Sequence, residues 1–154
     1  MNYWLFKSEP DAYSIDDLIN EPESTGRWDG IRNYQARNLL RDEIKVGDLV
    51  LFYHSSCKNV GIAGFAEVTS APYPDPLQFD PESKYYDPKS TPDAPRWVCV
   101  DIQYRGKVNK FLPLTQIKQT LELQDMVLVK RGRLSVQPVT EFEWQAIKKL
   151  TFND

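Results

Sequence analysis

The pattern of apolar and polar positions along the chain predicts several short strands. Each is a run of β-branched or aromatic residues, or an alternation of apolar with polar residues, bounded by turn-forming residues. The predicted strands cover residues 3–7, 49–53, 61–69, 97–104 and 134–139.

Helices are predicted where a capping residue precedes apolar residues at helical spacing. Ser14 can cap one or two turns that begin with acidic residues, which favour a helix N-terminus. Asn33 is the expected N-cap of a helix over residues 34–41. Thr140 and Glu143 have the spacing of a capping box at the start of a last helix.

The order of these elements indicates an α+β fold. Short strands scattered among short helices do not give the regular alternation of a parallel sheet. A small, curved antiparallel sheet or barrel with peripheral helices is therefore expected, with residues 3–7 and 49–53 as neighbouring or nearby strands. A chain of 154 residues is long enough for one domain, residues 1–154, with a proper core.

Composition narrows the class of function. A net charge of −3 argues against a protein that coats nucleic acid through phosphate neutralisation alone. Cys57 and Cys99 match no metal spacing and form no disulfide framework. No apolar run reaches membrane length and no signal peptide is evident, so we expect no membrane contact.

Residues 27–38 have the composition of a recognition surface. Trp28 and Tyr34 supply flat faces, and the neighbouring guanidinium groups and amides supply donors and acceptors for the edge of a base. A core position for Trp28 and a ligand-facing one are equally consistent with the sequence. A second stretch, residues 49–56, changes from apolar to polar as a strand does when it opens into a cleft, and it carries His54, the single histidine.

The chemistry of these residues points to binding more than to catalysis. His54 is a candidate general base with Glu9 as its carboxylate partner, but a structural or ligand-contacting histidine is the commoner role. The sequence offers no nucleophile elbow, no metal cluster and no phosphate-binding glycine loop, so no catalytic residue, metal or cofactor is expected. Arg131 and Arg133 bracket a glycine and can hold a phosphate, or simply form a solvated turn.

Several long motifs, in a shared order, resemble the EVE domain family over nearly the whole chain. They are YWLFKSEP (residues 3–10), WDGIRNYQARN (28–38), GD (47–48) with FYHS (52–55), YPD (73–75), YYDP (85–88) and GRLSV (132–136).

This resemblance implies a PUA-like fold, a strongly bent antiparallel β-barrel surrounded by short α-helices. It also implies a non-catalytic reader of a modified base in DNA or RNA, with an aromatic-walled pocket like that of YTH domains. Carried over by motif, the expected ligand-binding residues are Lys7, Ser8, Glu9, Trp28, Asn33, Tyr34, Arg37, Tyr53, His54 and Ser55. The full expected set adds Asp29, Arg131, Arg133 and Ser135. For a protein that resembles this family we expect a monomer, cytoplasmic in a bacterium and nuclear in a eukaryote.

Two other functions stay open on the sequence. One is a small nucleic-acid-processing hydrolase that uses His54 and Glu9, because ASCH domains, which share the implied fold, include members that resemble hydrolases. The other is a protein–protein interaction module that docks a partner through the aromatic residues of the segment 73–86. Incubation with nucleic acid, followed by a search for altered products, separates the hydrolase from the binder.

Overall fold

The computed structural model of the protein describes residues 1–152. The strands are β1 (Tyr3–Ser8), β2 (Thr25–Trp28), β3 (Leu49–His54), β4 (Gly61–Val68), β5 (Tyr73–Pro74), β6 (Val98–Pro113) and β7 (Val136–Val139). The helices are α1 (Ile15–Ile19), α2 (Tyr34–Asp42), α3 (Leu114–Gln119), α4 (Val127–Lys130) and α5 (Glu141–Phe152), with short 3₁₀ segments at Pro22–Ser24, Pro76–Phe79 and Leu121–Leu123.

The strands form one seven-stranded sheet in the order β2-β6-β4-β3-β1-β7, with β5 paired to β6. β6 is 16 residues long and pairs with β2, β4 and β5 along its length. Register shifts in the β3–β4 and β4–β6 pairings mark bulges, which bend and twist a sheet locally. The predicted α+β class, a bent sheet with short helices around it, is confirmed.

β1 and β3 are neighbours, as predicted, but they run parallel, whereas an antiparallel sheet was expected. The connection between them contains α1, β2 and α2, and a crossover of that length lets the chain return to the same end of the sheet. The other pairings are antiparallel. The parallel pairing brings the carboxyl ends of β1 and β3 to one edge, where Ser8 lies opposite His54.

Strand boundaries depart from prediction where polar residues face solvent. β2 was missed because its side chains are mostly polar and only Trp28 is a large apolar residue. β6 continues past the predicted end at residue 104, because its polar second half still pairs with β4. The expected N-cap at Asn33 and the capping box of Thr140 with Glu143 are confirmed.

Both faces of the sheet are buried. Alternate side chains of a strand point to opposite faces, so Phe6 and Phe52 enter one hydrophobic cluster while Leu5 and Tyr53 enter another. Burial on both faces explains why the sequences of β1 and β3 are nearly continuous runs of apolar residues.

The segment between β5 and β6 is irregular but ordered by its own hydrogen bonds. Gln78 is fully buried, and its amide nitrogen donates to the carbonyl oxygens of Asp75 and Trp97 at 2.7 and 2.8 Å. Its amide oxygen accepts from the backbone nitrogens of Arg96 and Trp97 at 3.1 and 3.0 Å. The segment is therefore pinned beside the start of β6.

Candidate functional site

A cavity of about 1030 Å³ opens at the edge of the sheet where β1 and β3 end and β7 begins. Its wall is completed by the end of β2, the segment at Lys84 and Tyr85, and the turn that precedes β7. The cavity brings together these predicted site residues: Lys7, Ser8, Glu9, Trp28, Asp29, Ser55, Arg133 and Ser135.

Strand pairing holds three serines of this set at one edge. The backbone nitrogen of Ser55 donates to the carbonyl oxygen of Ser8 at 2.9 Å. The backbone nitrogen of Lys7 donates to the carbonyl oxygen of Ser135 at 2.9 Å. The Ser8 hydroxyl donates to the carbonyl oxygen of Tyr13 at 2.7 Å. The two backbone bonds extend the strand pairing, and all three bonds join residues that line the cavity.

Trp28 is packed into the core and only partly forms the cavity wall. Its side chain is 5% exposed. Its ring lies 5.2 Å from that of Phe6, 5.3 Å edge-on from Phe52 and 6.3 Å edge-on from Tyr13, measured between centroids. Of the two roles that the sequence left open, this burial favours the core.

Charged groups of both signs surround the cavity. The Arg27 guanidinium nitrogen Nε lies 2.7 Å from Oδ2 of Asp29. The Lys7 ammonium group donates to the carbonyl oxygen of Gly132, and burial lowers the pKa of Lys7. Such a lining offers cations to phosphates and acceptors to amino groups of a base. The cationic residues of the lining are Lys7, Arg27, Lys84 and Arg133, and the acidic ones are Glu9, Glu21 and Asp29.

Tyr13 is a further polar residue of the lining that the sequence did not single out. Burial first, and then nearby Glu21, Asp17 and Asp29, raise its pKa to about 12, so its hydroxyl is a donor at neutral pH. Among residues 1–152, this buried hydroxyl has no hydrogen-bond partner. The hydroxyl lies against the backbone of Gly26, where an added Cβ atom would clash with it.

Tyr53 and His54 lie outside the lining. The Tyr53 side chain enters the cluster on the opposite face of the sheet, where the Lys7 ammonium nitrogen is 5.6 Å from its ring centroid. His54 packs edge-on against Phe52 at 5.7 Å, and its Nε2 accepts from the backbone nitrogen of Ile15 at 3.1 Å. The expectation that these two side chains line the cavity is therefore not met by the geometry.

Asn33, Tyr34 and Arg37 also lie away from the lining, because α2 carries them to another part of the surface. The Asn33 side chain is used as the N-cap, accepting from Ala36 at 3.0 Å. Tyr34 stacks on Trp97 at 4.8 Å, and the Arg37 guanidinium carbon lies 4.8 Å from the Tyr34 centroid. Arg131 faces a separate groove of about 290 Å³ between α2 and β7.

The sequence missed the contribution of the segment between β5 and β6. Tyr85 and Lys84 line the cavity, together with Gly30 and Ile31. The aromatic residues of this segment were visible in the sequence, but they pointed to partner docking, and no local pattern links positions so far apart as Gly30 and Tyr85. Their contact depends on tertiary structure alone.

The state of His54 gives a testable pH dependence. Burial lowers the pKa of His54. Nearby Asp16 acts to raise this pKa, and Lys107 acts to lower it. The folded protein thus binds the proton less readily than the unfolded chain, so this contribution to stability is complete above a pH of about 6.5 and is lost as the pH falls through the folded pKa.

We expect the free energy of unfolding to fall between pH 7.5 and 5 more steeply in the wild type than in His54→Gln, which keeps an acceptor but does not titrate. One proton allows a difference of at most about 1.4 kcal/mol per pH unit. Urea unfolding at a series of pH values measures both slopes, and equal slopes would show that His54 is not buried as a neutral ring. His54 is the one histidine of the sequence, so the difference has a single source.

Two general properties of the described chain concern metals and membranes. Within residues 1–152, no three His, Cys, Asp or Glu side chains are grouped so that they can hold a metal ion. None of the helices in that range is long and apolar enough to cross a membrane.

Comparison with known proteins places this geometry in a family. Residues 2–150 match the EVE domain family. Thymocyte nuclear protein 1 of Danio rerio is 44% identical over 168 residues, an alignment that covers 98% of this chain and 72% of the relative. A structure of a hypothetical protein from Leishmania major is 45% identical with a TM-score of 0.93, covering 98% of this chain and 94% of that one.

Two solved structures contain nucleic acid. Human THYN1, in complex with DNA containing 5-methylcytosine, is 40% identical with a TM-score of 0.96, covering 100% of this chain and 99% of that one. The YTH domain of Zygosaccharomyces rouxii MRB1, in complex with N6-methyladenosine RNA, is 16% identical with a TM-score of 0.57, so that likeness is one of fold alone. It agrees with the PUA-like architecture implied by the sequence motifs.

Proposed function

The chain belongs to the EVE domain family, and we propose that it binds DNA containing a modified base by holding that base in the cavity at the end of β1 and β3. The observation that carries the proposal is the likeness to human THYN1 over the whole chain, since that protein was solved with DNA containing 5-methylcytosine. We take 5-methylcytosine as the first base to test.

The size and chemistry of the cavity support this proposal. A volume of about 1030 Å³ lies just above the range typical of ligand sites, roughly 300–1000 Å³. A base that leaves the stack needs a pocket that reads its edge by hydrogen bonds, together with room for its sugar. Carboxylates such as Glu9 and Asp29 can accept hydrogen bonds from an exocyclic amino group of the base. The serine hydroxyls can either donate or accept.

The proposal is binding without chemical change. The candidate general base, His54, uses its Nε2 to accept from Ile15 at 3.1 Å and does not line the cavity. Glu9 does line it, so these two side chains do not face the cavity together, which favours binding over the hydrolase alternative.

The test compares labelled oligonucleotides that differ at a single cytosine, unmodified or 5-methylated, as DNA and as RNA. Fluorescence anisotropy measures affinity, and mass spectrometry of the recovered oligonucleotide detects any product. We expect tighter binding of the methylated DNA and an unchanged oligonucleotide. Equal affinity for the two DNA oligonucleotides would exclude 5-methylcytosine as the bound base, no binding of any oligonucleotide would contradict the proposal, and a new product would replace it with the hydrolase.

Arg133 is expected to hold a phosphate at the rim of the cavity. It is exposed, it lines the cavity, and duplex binding releases nearly one counterion per neutralised phosphate. Arg133→Ala should therefore reduce the slope of log affinity against log salt by about one unit, similarly for methylated and unmodified DNA.

Arg41→Ala is the matched control for Arg133→Ala. Arg41 pairs with the adjacent Asp42 at 2.8 Å and does not line the cavity. Its loss should leave the salt slope unchanged. An Arg133→Ala effect confined to the methylated oligonucleotide would instead place this side chain at the edge of the base.

A further inference from the structure

Resting on the proposed function, we infer that Tyr85 is the aromatic residue on which the bound base stacks, and that Gly30 and Arg32 are the residues that position it. Trp28 was the expected stacking ring, but it is only 5% exposed and packs against the core rings of Phe6 and Phe52. Tyr85 is only partly buried and lines the same cavity from the segment between β5 and β6.

The contact with Gly30 sets the depth of the Tyr85 ring. A Cβ atom built on Gly30 would lie 3.0 Å from Cζ and 3.1 and 3.3 Å from the two Cε atoms of Tyr85, so the phenol end of the ring rests on the glycine backbone. The φ angle of Gly30 is +79°, a conformation that favours glycine. Gly30 thus provides both the turn after Trp28 and the space for the ring.

Arg32 holds the backbone and the ring of Tyr85 together. Its Nε and Nη2 donate to the Tyr85 carbonyl oxygen at 3.1 and 2.9 Å, and its guanidinium carbon lies 5.4 Å from the ring centroid. Nη1 of Arg32 pairs with Oδ2 of the buried Asp75 at 3.0 Å. The same oxygen accepts from the Gly30 nitrogen at 2.8 Å, so one carboxylate fixes both supports of Tyr85.

The stack continues away from the cavity and explains the position of Tyr34. The Arg32 guanidinium carbon is also 5.4 Å from the Trp97 ring, on which Tyr34 stacks at 4.8 Å. This alternation of cationic and aromatic groups braces Tyr85 against α2. Rigid support of this kind suits a ligand contact, because little freedom is left to lose on binding.

The ammonium group of Lys84 lies near the Tyr85 ring, and a stacking base would displace it. The ammonium nitrogen lies 5.1 Å from the Tyr85 centroid, and the Lys84 side chain is exposed. A neutral base that stacks on the ring replaces this cation, which is then free to approach a phosphate of the same strand.

The experiment measures the affinity of full-length variants for a duplex with one 5-methylcytosine, and the unfolding midpoint of each variant in urea. Tyr85→Ala and Tyr85→Leu should weaken binding by about five- to 150-fold, the usual effect of one stacking ring, while remaining folded. Tyr85→Phe should stay within about twofold of the wild type. Gly30→Ala should weaken binding in the same direction, because its Cβ displaces the ring.

Tyr86→Ala is the matched control, since Tyr86 is 42% exposed and lies outside the lining. Wild-type affinity in both Tyr85→Ala and Tyr85→Leu would overturn the inference and leave the proposed function standing. A loss in Tyr85→Phe as large as in Tyr85→Ala would also overturn it, because the hydroxyl and not the ring face would then be the contact. A wild-type protein that does not bind the duplex at all would overturn both.

Discussion

Replacing Trp28 with alanine is expected to lower the free energy of unfolding by about 3–5 kcal/mol, the usual loss for a buried tryptophan. The side chain is 5% exposed and fills the space between Phe6 and Phe52 on one face of the sheet. From the sequence alone, a ligand-facing Trp28 would have given a smaller loss of stability. The packing reverses that expectation.

The loss should fall toward the lower end of this range. The energy lost on truncation depends on how far the surroundings close over the space left behind. Trp28 borders the cavity, so water can enter part of that space from the open side. The same change widens the cavity, and weaker binding of methylated DNA should accompany the loss of stability.

Tyr34→Ala is the control from the same stretch of sequence. Tyr34 is 51% exposed and makes one aromatic stack, with Trp97, so its replacement should lower the free energy of unfolding by about 0.5–1.5 kcal/mol. Urea unfolding of both variants gives the comparison. A Trp28→Ala loss no larger than that of Tyr34→Ala would return Trp28 to the role of a ligand-facing ring.

Local sequence signals predicted much of the fold because they have local physical causes. Asn33 was identified as an N-cap since its side chain bonds to a backbone nitrogen three residues on, at Ala36. The capping box of Thr140 and Glu143 has the same local character. The parallel pairing of β1 with β3 was not predicted, because the direction of a pairing is set by the crossover and not by either strand.

The candidate site was predicted in part, and the limit is again physical. Lys7, Ser8 and Glu9 reach the cavity because they lie at, or directly after, the end of β1. Tyr53 does not, because neighbouring side chains on a strand point to opposite faces. Sequence proximity to a cleft therefore identifies the strand end but not which of its side chains face the ligand.

Asp75→Ala is expected to destabilise the protein by about 3–5 kcal/mol, the usual effect of removing one partner from a buried ion pair. The Asp75 side chain is fully buried. Its Oδ1 accepts from the Leu77 nitrogen at 2.8 Å, and its Oδ2 accepts from Gly30 and Arg32. Alanine would leave a charged guanidinium group and two backbone donors without this acceptor.

Asp80→Ala is the matched control in the same segment, because Asp80 is exposed and its side chain accepts one backbone bond, from Glu82 at 2.9 Å. We expect that variant to remain within about 1 kcal/mol of the wild type. The double variant Arg32→Ala with Asp75→Ala should lose less than the sum of the single losses, since the unpaired charge is then absent. Strict additivity, measured by urea unfolding, would show that Arg32 and Asp75 stabilise this segment independently and that the carboxylate is not the joint support of Gly30 and Tyr85.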